Sequence, residues 1–420
     1  MAASVTESIA IQDSYDVVVI GGGPAGAALA TFCQRAGHSC LVLERSLFPR
    51  YHIGESVIPQ TYGTLERLGL LEALQASSYP KKYSVRFIPE SGQDVEPFYF
   101  SETIEGPGSQ TWQVERSTFD QLCLDNAAAS GVEVRMRAGV RQVLFEEDRA
   151  VGVRIQNPGK DPQDIGARVV VDASGRSTVI GNQLGLKRPV PGLKKMSIWS
   201  YYKGGKRLQG IDEGETTAII IPQRGWFWYI PLPADQVSVG VVASPEYLLR
   251  EAGNFQEIFD REIELCAPVA ERLRQAERVD SVRGIPELAY CNRQTAGTGW
   301  MMIGDAAAFL DPIYSSGLFL ALASAEMAAQ SVSDALSSDD LSADRLGAHA
   351  AMLMEGIEVI RRLIFAFYDP SFSFGGFVKR FPDQRSALID CLVGDVVDKD
   401  MSTFLAALEQ MTPVPPPLAW

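Results

Sequence analysis

Three histidines stand in a chain of 420 residues, at His38, His52 and His349. Six cysteines, at 33, 40, 123, 266, 291 and 391, include no pair spaced as CxxC. Those two shortages exclude the usual zinc frameworks, and no metal site is expected. Thiols in this pattern predict a reduced, cytoplasmic compartment. Positive charge is also short: 38 Lys and Arg face 52 Asp and Glu, a formal charge of −14. A surface of that sign repels phosphate backbones, so nucleic acid is not an expected partner. No run of 18 apolar residues occurs. The stretch 318–329 is interrupted by Ser324 and Glu326, so no integral membrane segment is expected. Residues 1–14 lack the basic cluster and apolar core of a signal peptide. The remaining composition, 46% hydrophobic and 21% charged, excludes a disordered or disulfide-stapled chain. This length predicts two or three domains, or one large domain with an inserted sheet.

What is present begins with YDVVVI at 15–20, a β-branched run that suits a buried parallel strand. Gly21-Gly22-Gly23-Pro24-Ala25-Gly26 follows, then a helix-compatible stretch closed by Gly37, then CLVLE at 40–44. That is a βαβ unit with GxGxxG at its first turn and an acid, Glu44, 18 residues after Gly26. Gly21 permits the tight turn, Gly23 lets backbone approach a pyrophosphate, and Gly26 allows close helix–strand packing. The helix N-terminus offers free N–H groups, and Glu44 can accept ribose hydroxyls.

RVVVD at 168–172 and the strand 300–303 before Gly304-Asp305 repeat the buried-strand signal. Asp305 can hold a ribityl hydroxyl, and the helix predicted over 317–335 points N–H groups toward a pyrimidine edge. A second nucleotide-contact region so far downstream favours FAD over NAD. No second strand–GxGxxG–helix unit exists, so no built-in NAD(P)H site is expected. Between these parts the period becomes two. Segments 196–202, 216–221, 226–232 and 237–243 read as an antiparallel meander with turns at 223–225 and 233–235. Helices are predicted at 65–74 and 117–130, and from 344 to 410 with breaks at Asp369-Pro370 and Pro382. A strand is predicted at 132–135, and an exposed Pro-rich tail at 413–417.

The expected fold is α/β with an α+β insertion. A Rossmann-like FAD-binding domain (15–80, 114–185, 296–335) carries an inserted antiparallel-sheet substrate domain (81–113, 186–295). A helical C-terminal section (336–420) follows.

Several pieces carry a family resemblance: GGGPAG at 21–26, PRYHIGES at 49–56, QVERSTFD at 113–120, DASGR at 172–176 and GDAAAFLDPIYSSG at 304–317. They resemble the FAD-dependent monooxygenase superfamily, in the branch of flavin-dependent halogenases and geranylgeranyl-reductase-like proteins. Trp226-Phe227-Trp228-Tyr229-Ile230-Pro231 is similar to the halogenase WxWxIP, and Phe309, Pro312, Ser315 and Gly317 match FxxPxxSxG. Trp226 and Trp228, at i and i+2, share one face of a strand and can wall a flavin pocket. They also read as sheet core. The resemblance implies FAD held by Gly21, Gly23, Ala25, Gly26, Glu44, Arg45, Arg116, Asp305 and Gly317. It implies a halide at the Ser316 and Gly317 amides, and FADH2 supplied by a separate flavin reductase. A flavin hydroperoxide then oxidises halide, and a lysine relays hypohalous acid to the substrate. Lys82 aligns with that lysine, with Lys81 beside it.

Tyr314 stands where tryptophan halogenases carry Glu and where a shorter group usually has Phe. That shorter group acts on phenols, pyrroles or activated acyl chains, some bound to a carrier protein. No general base is named; Glu55 reads as structural. The readings that compete with a halogenase are a monooxygenase, a geranylgeranyl-type reductase, and an FAD-binding protein without turnover.

Overall fold

The computed structural model describes residues 14–156, 159, 161–221 and 225–418; the reading of residues 1–13 and of the turn at Gln223-Arg224 falls outside them. Five parallel strands lie in the order Glu133–Met136, Cys40–Glu44, Ser14–Ile20, Gln163–Asp172, Trp300–Met302, with the first strand in sequence at the centre. Alternation sorts its side chains. Val17 and Val19 face helices Pro24–Arg35, Arg116–Ala129 and Ser316–Ser338. Val18 and Ile20 face the hairpin Gly139–Glu146/Arg149–Gln156 and the helix Val179–Gln183. Burial on both faces explains the unbroken apolar run, each buried valine contributing about 1.5–3 kcal/mol. Register aligns Ile20 with Leu43 and Asp172, and Asp172 with Met302. The turns after these strands therefore share one edge, where open α/β sheets bind ligands.

The second sheet runs Glu277–Arg278, Met196–Lys203, Gln236–Ala243, Gly225–Pro231, Thr216–Ile221, Ser84–Ile88, Phe98–Tyr99. It departs from the expected meander in two ways. Met196–Lys203 pairs with the last of the four strands rather than with the next, and Ser84–Ile88 joins parallel to Thr216–Ile221. Alternation cannot reveal either, because it specifies faces and not neighbours. On Gly225–Pro231, Trp226, Trp228 and Ile230 face one core and Phe227 and Tyr229 another. The first core continues into the C-terminal helices Ala350–Tyr368, Phe374–Arg380, Arg385–Val393 and Ser402–Glu409.

The helix expected at 65–74 is two, Thr61–Leu68 and Leu71–Gln75, parted by Gly69 in the left-handed region at φ +80°. The tail is only partly exposed. Val414 and Leu418 pack on the core, and the Pro416 carbonyl accepts from Arg361. All six cysteines are unpaired and buried. Among the described residues no helix is long and apolar enough to cross a membrane, and no group of three His, Cys, Asp or Glu is placed to hold a metal.

Candidate active site

A cleft of about 460 Å³ opens along the shared strand edge and reaches the second sheet. At its nucleotide end the three glycines do different work. A Cβ on Gly21, at φ +107°, would sit 2.5 Å from the Ala173 carbonyl oxygen, and one on Gly26 2.0 Å from that of Gly21. Both are close-packing positions. A Cβ on Gly23 would meet only Arg50 Nη2, at 3.3 Å, so this glycine faces the cleft. Ala25 lines the cleft beside it, whereas Gly26 stands behind. The Glu44 carboxylate is oriented by the Gly22 and Ser46 amides, which donate to its two oxygens at 2.9 and 2.7 Å. Glu44 and Arg45 line the cleft together.

Asp305 follows the strand Trp300–Met302 into the same cleft. Among the described residues its carboxylate has no hydrogen-bond partner. Burial pushes its pKa up to about 6, against the pull of the Arg116 and Arg176 guanidiniums. Arg116 forks onto Asp120 at 2.7 and 3.0 Å and donates to the Ile53 carbonyl at 2.8 Å. Asp120 also pairs with Arg50 at 3.0 Å. Arg116 and burial drive His52 down to about 3, so the ring is neutral. Arg50, His52 and Arg176 escaped the sequence reading. Their only signal was membership of PRYHIGES and DASGR, because nothing local ties them to residues 116–120 or 305.

The long helix Ser316–Ser338 starts at the cleft from Ser315, which sits at φ +55°. Gly317 lines the cleft; the Ser316 side chain is buried behind it. First-turn amides of a helix have no partner within the helix and suit an anion. The loop before them is held by Asp311, which accepts from the Ile313 amide at 3.0 Å and from the Tyr368 hydroxyl at 2.9 Å. Tyr368 in turn accepts from Trp226 Nε1 at 3.0 Å. The indole is thus strapped, through a C-terminal helix, to the loop that begins the long helix. Trp226, Trp228 and Ile230 wall the cleft and Pro231 lies beyond it. Tyr314 is buried, its hydroxyl donating to the Leu363 carbonyl at 3.0 Å. Glu55 lines the cleft and accepts from Tyr201 at 2.6 Å.

Lys82 is 1% exposed, whereas Lys81 points to solvent. Lys82 Nζ donates to Ser56 Oγ at 2.8 Å and the Val57 carbonyl at 3.2 Å, with the Phe100 ring 5.3 Å away. Among the described residues no carboxylate pairs with it, and burial alone pushes its pKa down from 10.5 to about 7. Ser56 lines the cleft; Lys82 stands one residue behind.

An open glycine, a helix start with free amides, an oriented acid on the second strand and an unpartnered carboxylate on the last strand suit the pyrophosphate and sugar hydroxyls of FAD. Together with the comparisons that follow, they place the chain among FAD-dependent oxidoreductases. The FAD binding domain family matches residues 14–338. A 1H-pyrrole-2-carbonyl-[peptidyl-carrier protein] chlorinase of Pseudomonas fluorescens is 30% identical over 91% of this chain and 89% of its own. The corresponding brominase of Pseudoalteromonas luteoviolacea is 30% identical over 94% and 97%. The flavin-dependent brominase Bmp2 superposes with a TM-score of 0.86 at 29% identity, covering 94% of this chain and 98% of that one. The chain belongs to the flavin-dependent halogenases.

Proposed function

We propose that this halogenase modifies an electron-rich aromatic acyl group of the pyrrole type carried on a carrier protein, with Lys82 delivering the oxidised halogen. The observation that carries the reading is the buried Lys82 amine one residue behind the cleft, hydrogen-bonded to Ser56 and Val57 and paired with no carboxylate among the described residues. An amine titrating near pH 7 is a nucleophile under physiological conditions, which a solvated lysine is not. The substrate class rests on the two relatives that share nearly the whole chain.

When bound and reduced, FAD supplies with oxygen the equivalents that convert halide to hypohalous acid. The protein's share is placement. Gly23, Ala25 and the amides that open helix Pro24–Arg35 receive the pyrophosphate, with Gly21 and Gly26 shaping that turn. Glu44 takes ribose hydroxyls beside Arg45, and Asp305 a ribityl hydroxyl, with Arg116 bracing the facing loop. The Ser316 and Gly317 amides receive halide. Trp226 and Trp228 wall the flavin side, and Lys82 accepts the halogen. A separate reductase supplies FADH2, a role supported by the single dinucleotide fingerprint. Six unpaired buried thiols fit a cytoplasmic setting.

The test is halogenated product per oxygen consumed, with FADH2 and a pyrrole-2-carbonyl carrier protein. Lys82→Ala and Lys82→Arg fall to background, the second because a guanidinium stays protonated. Lys81→Ala keeps most product. In the parent the ratio rises with pH through about 7 as the amine becomes neutral. Parental product from Lys82→Ala would falsify the assignment. NADPH without a reductase reduces the bound flavin slowly; fast reduction in stopped flow overturns the two-protein supply.

A further inference from the structure

Lys82 does not itself line the cleft, whereas two hydroxyls between it and the cleft do. Ser56 Oγ accepts from Lys82 Nζ at 2.8 Å and stands 2.9 Å from Thr216 Oγ1, which accepts from Gln113 Nε2 at 2.8 Å. All four side chains are buried. We infer that Ser56 and Thr216 form a hydroxyl relay through which the Lys82 amine exchanges protons with the cleft. The inference rests on the role given to Lys82 above.

Among the described residues no other proton carrier hydrogen-bonds the amine. Glu55, next to Ser56, is held by Tyr201, and Glu215, next to Thr216, is paired with Arg86 at 2.9 Å. Val57 offers a carbonyl and Phe100 a ring. A hydroxyl accepts and donates at once, so the line has two polarities. With the ammonium present, Lys82 donates to Ser56, Ser56 to Thr216, and Thr216 toward the cleft. With the amine neutral, Thr216 donates to Ser56 and Ser56 to Lys82. Gln113 donates to Thr216 in both, which keeps that oxygen in place while its proton switches. Thr111 Oγ1, opposite Lys82 in the strand ladder, and Gln113 Oε1 are buried without partners among the described residues.

An ammonium proton passes to Ser56 Oγ as the Ser56 proton passes to Thr216 Oγ1 and the Thr216 proton to water in the cleft. The neutral amine then attacks the halogen of hypohalous acid. An N–halogen bond forms, the O–halogen bond breaks, and one N–H proton leaves with the hydroxide as water. Transfer of the halogen to an aromatic carbon breaks the N–halogen bond, and the proton lost from that carbon goes to the nitrogen, which restores the amine.

The test reads the relay without any substrate. In the FAD-loaded protein labelled with 15N-lysine, the exchange rate of the Lys82 ζ protons with water is measured by NMR, the signal assigned by its loss in Lys82→Ala. Ser56→Ala and Thr216→Val slow exchange roughly 10²-fold, the scale on which a positioned proton carrier acts. Thr216→Ser, which keeps the hydroxyl, restores it. Parental exchange in Thr216→Val, or slowing equal in Thr216→Ser and Thr216→Val, overturns the relay. If Ser56→Ala does not fold, the two Thr216 variants decide. Failure of the Lys82 role is a separate result, since it appears as product from Lys82→Ala.

Discussion

At the end of the cleft proposed for the nucleotide the groups on offer are mostly backbone: a glycine with room beside it and the first amides of two helices, joined by one side chain, a carboxylate oriented by peptide N–H groups. At the Lys82 end they are side chains, drawn from positions 56, 82, 113 and 216. A backbone site is encoded where it stands, in a short run whose small residues keep a space open. A side-chain site is assembled across the fold, and no stretch of sequence contains it. The two ends should therefore break differently, glycine changes striking folding or cofactor binding and side-chain changes striking product.

The largest effect is expected at Gly26. Any Cβ there enters the Gly21 carbonyl at 2.0 Å, so Gly26→Ala loses on the order of 4 kcal/mol, read from soluble yield and thermal melts. Gly23→Val comes next and sharpens the contrast. Its backbone, at φ −70°, tolerates a side chain and only Arg50 lies near. The variant folds but purifies colourless, with FAD affinity down roughly 100-fold, equivalent to about 3 kcal/mol of charge-assisted hydrogen bonding. Yellow protein of parental affinity would remove the pyrophosphate from Gly23.

Tyr368→Phe tests the strap between the ends. It keeps the ring but leaves Trp226 Nε1 and one Asp311 oxygen unpaired. Loss of about 1–3 kcal/mol in denaturant melts is expected. Burial already pushes Asp311 up to about 6, and losing the Tyr368 donor raises it further, an effect read by titration of the 13C-labelled carboxyl.

The last effect is a pH dependence rather than a loss, and it concerns stability at the Lys82 end. Its pKa falls from 10.5 unfolded to about 7 folded. Between those values the unfolded chain holds more protons, so the lysine's contribution to stability rises with pH across that window. Lys82→Met removes this dependence. The variant's stability advantage is expected to be full at pH 7 and below and to shrink toward pH 10.5. A gap that does not change with pH would mean that the amine is not desolvated.

The glycine fingerprint, the strand before it and Glu44 were legible because turn, helix start and acid lie within one βαβ unit. The shared face of Trp226, Trp228 and Ile230 was legible because strand side chains alternate. The partner of Trp226 was not, since Tyr368 lies 142 positions away on a helix. Nor was the pairing of Met196–Lys203 with Gln236–Ala243, because alternation is blind to strand order. Arg116 was marked for the cofactor by resemblance, yet its fork onto Asp120 and its hold on the 53–54 carbonyls emerge only in three dimensions.

The sequence by itself determined the nucleotide fold and its cofactor class, because those depend on local backbone geometry that glycine spacing and β-branched runs dictate directly. Only the tertiary structure decided that Lys82 is sealed from water, that no carboxylate among the described residues neutralises it, and that Ser56 and Thr216 stand between it and the cleft. Burial and long-range hydrogen bonding set an amine's proton affinity, and a lysine reads the same in sequence whether it meets water or Phe100.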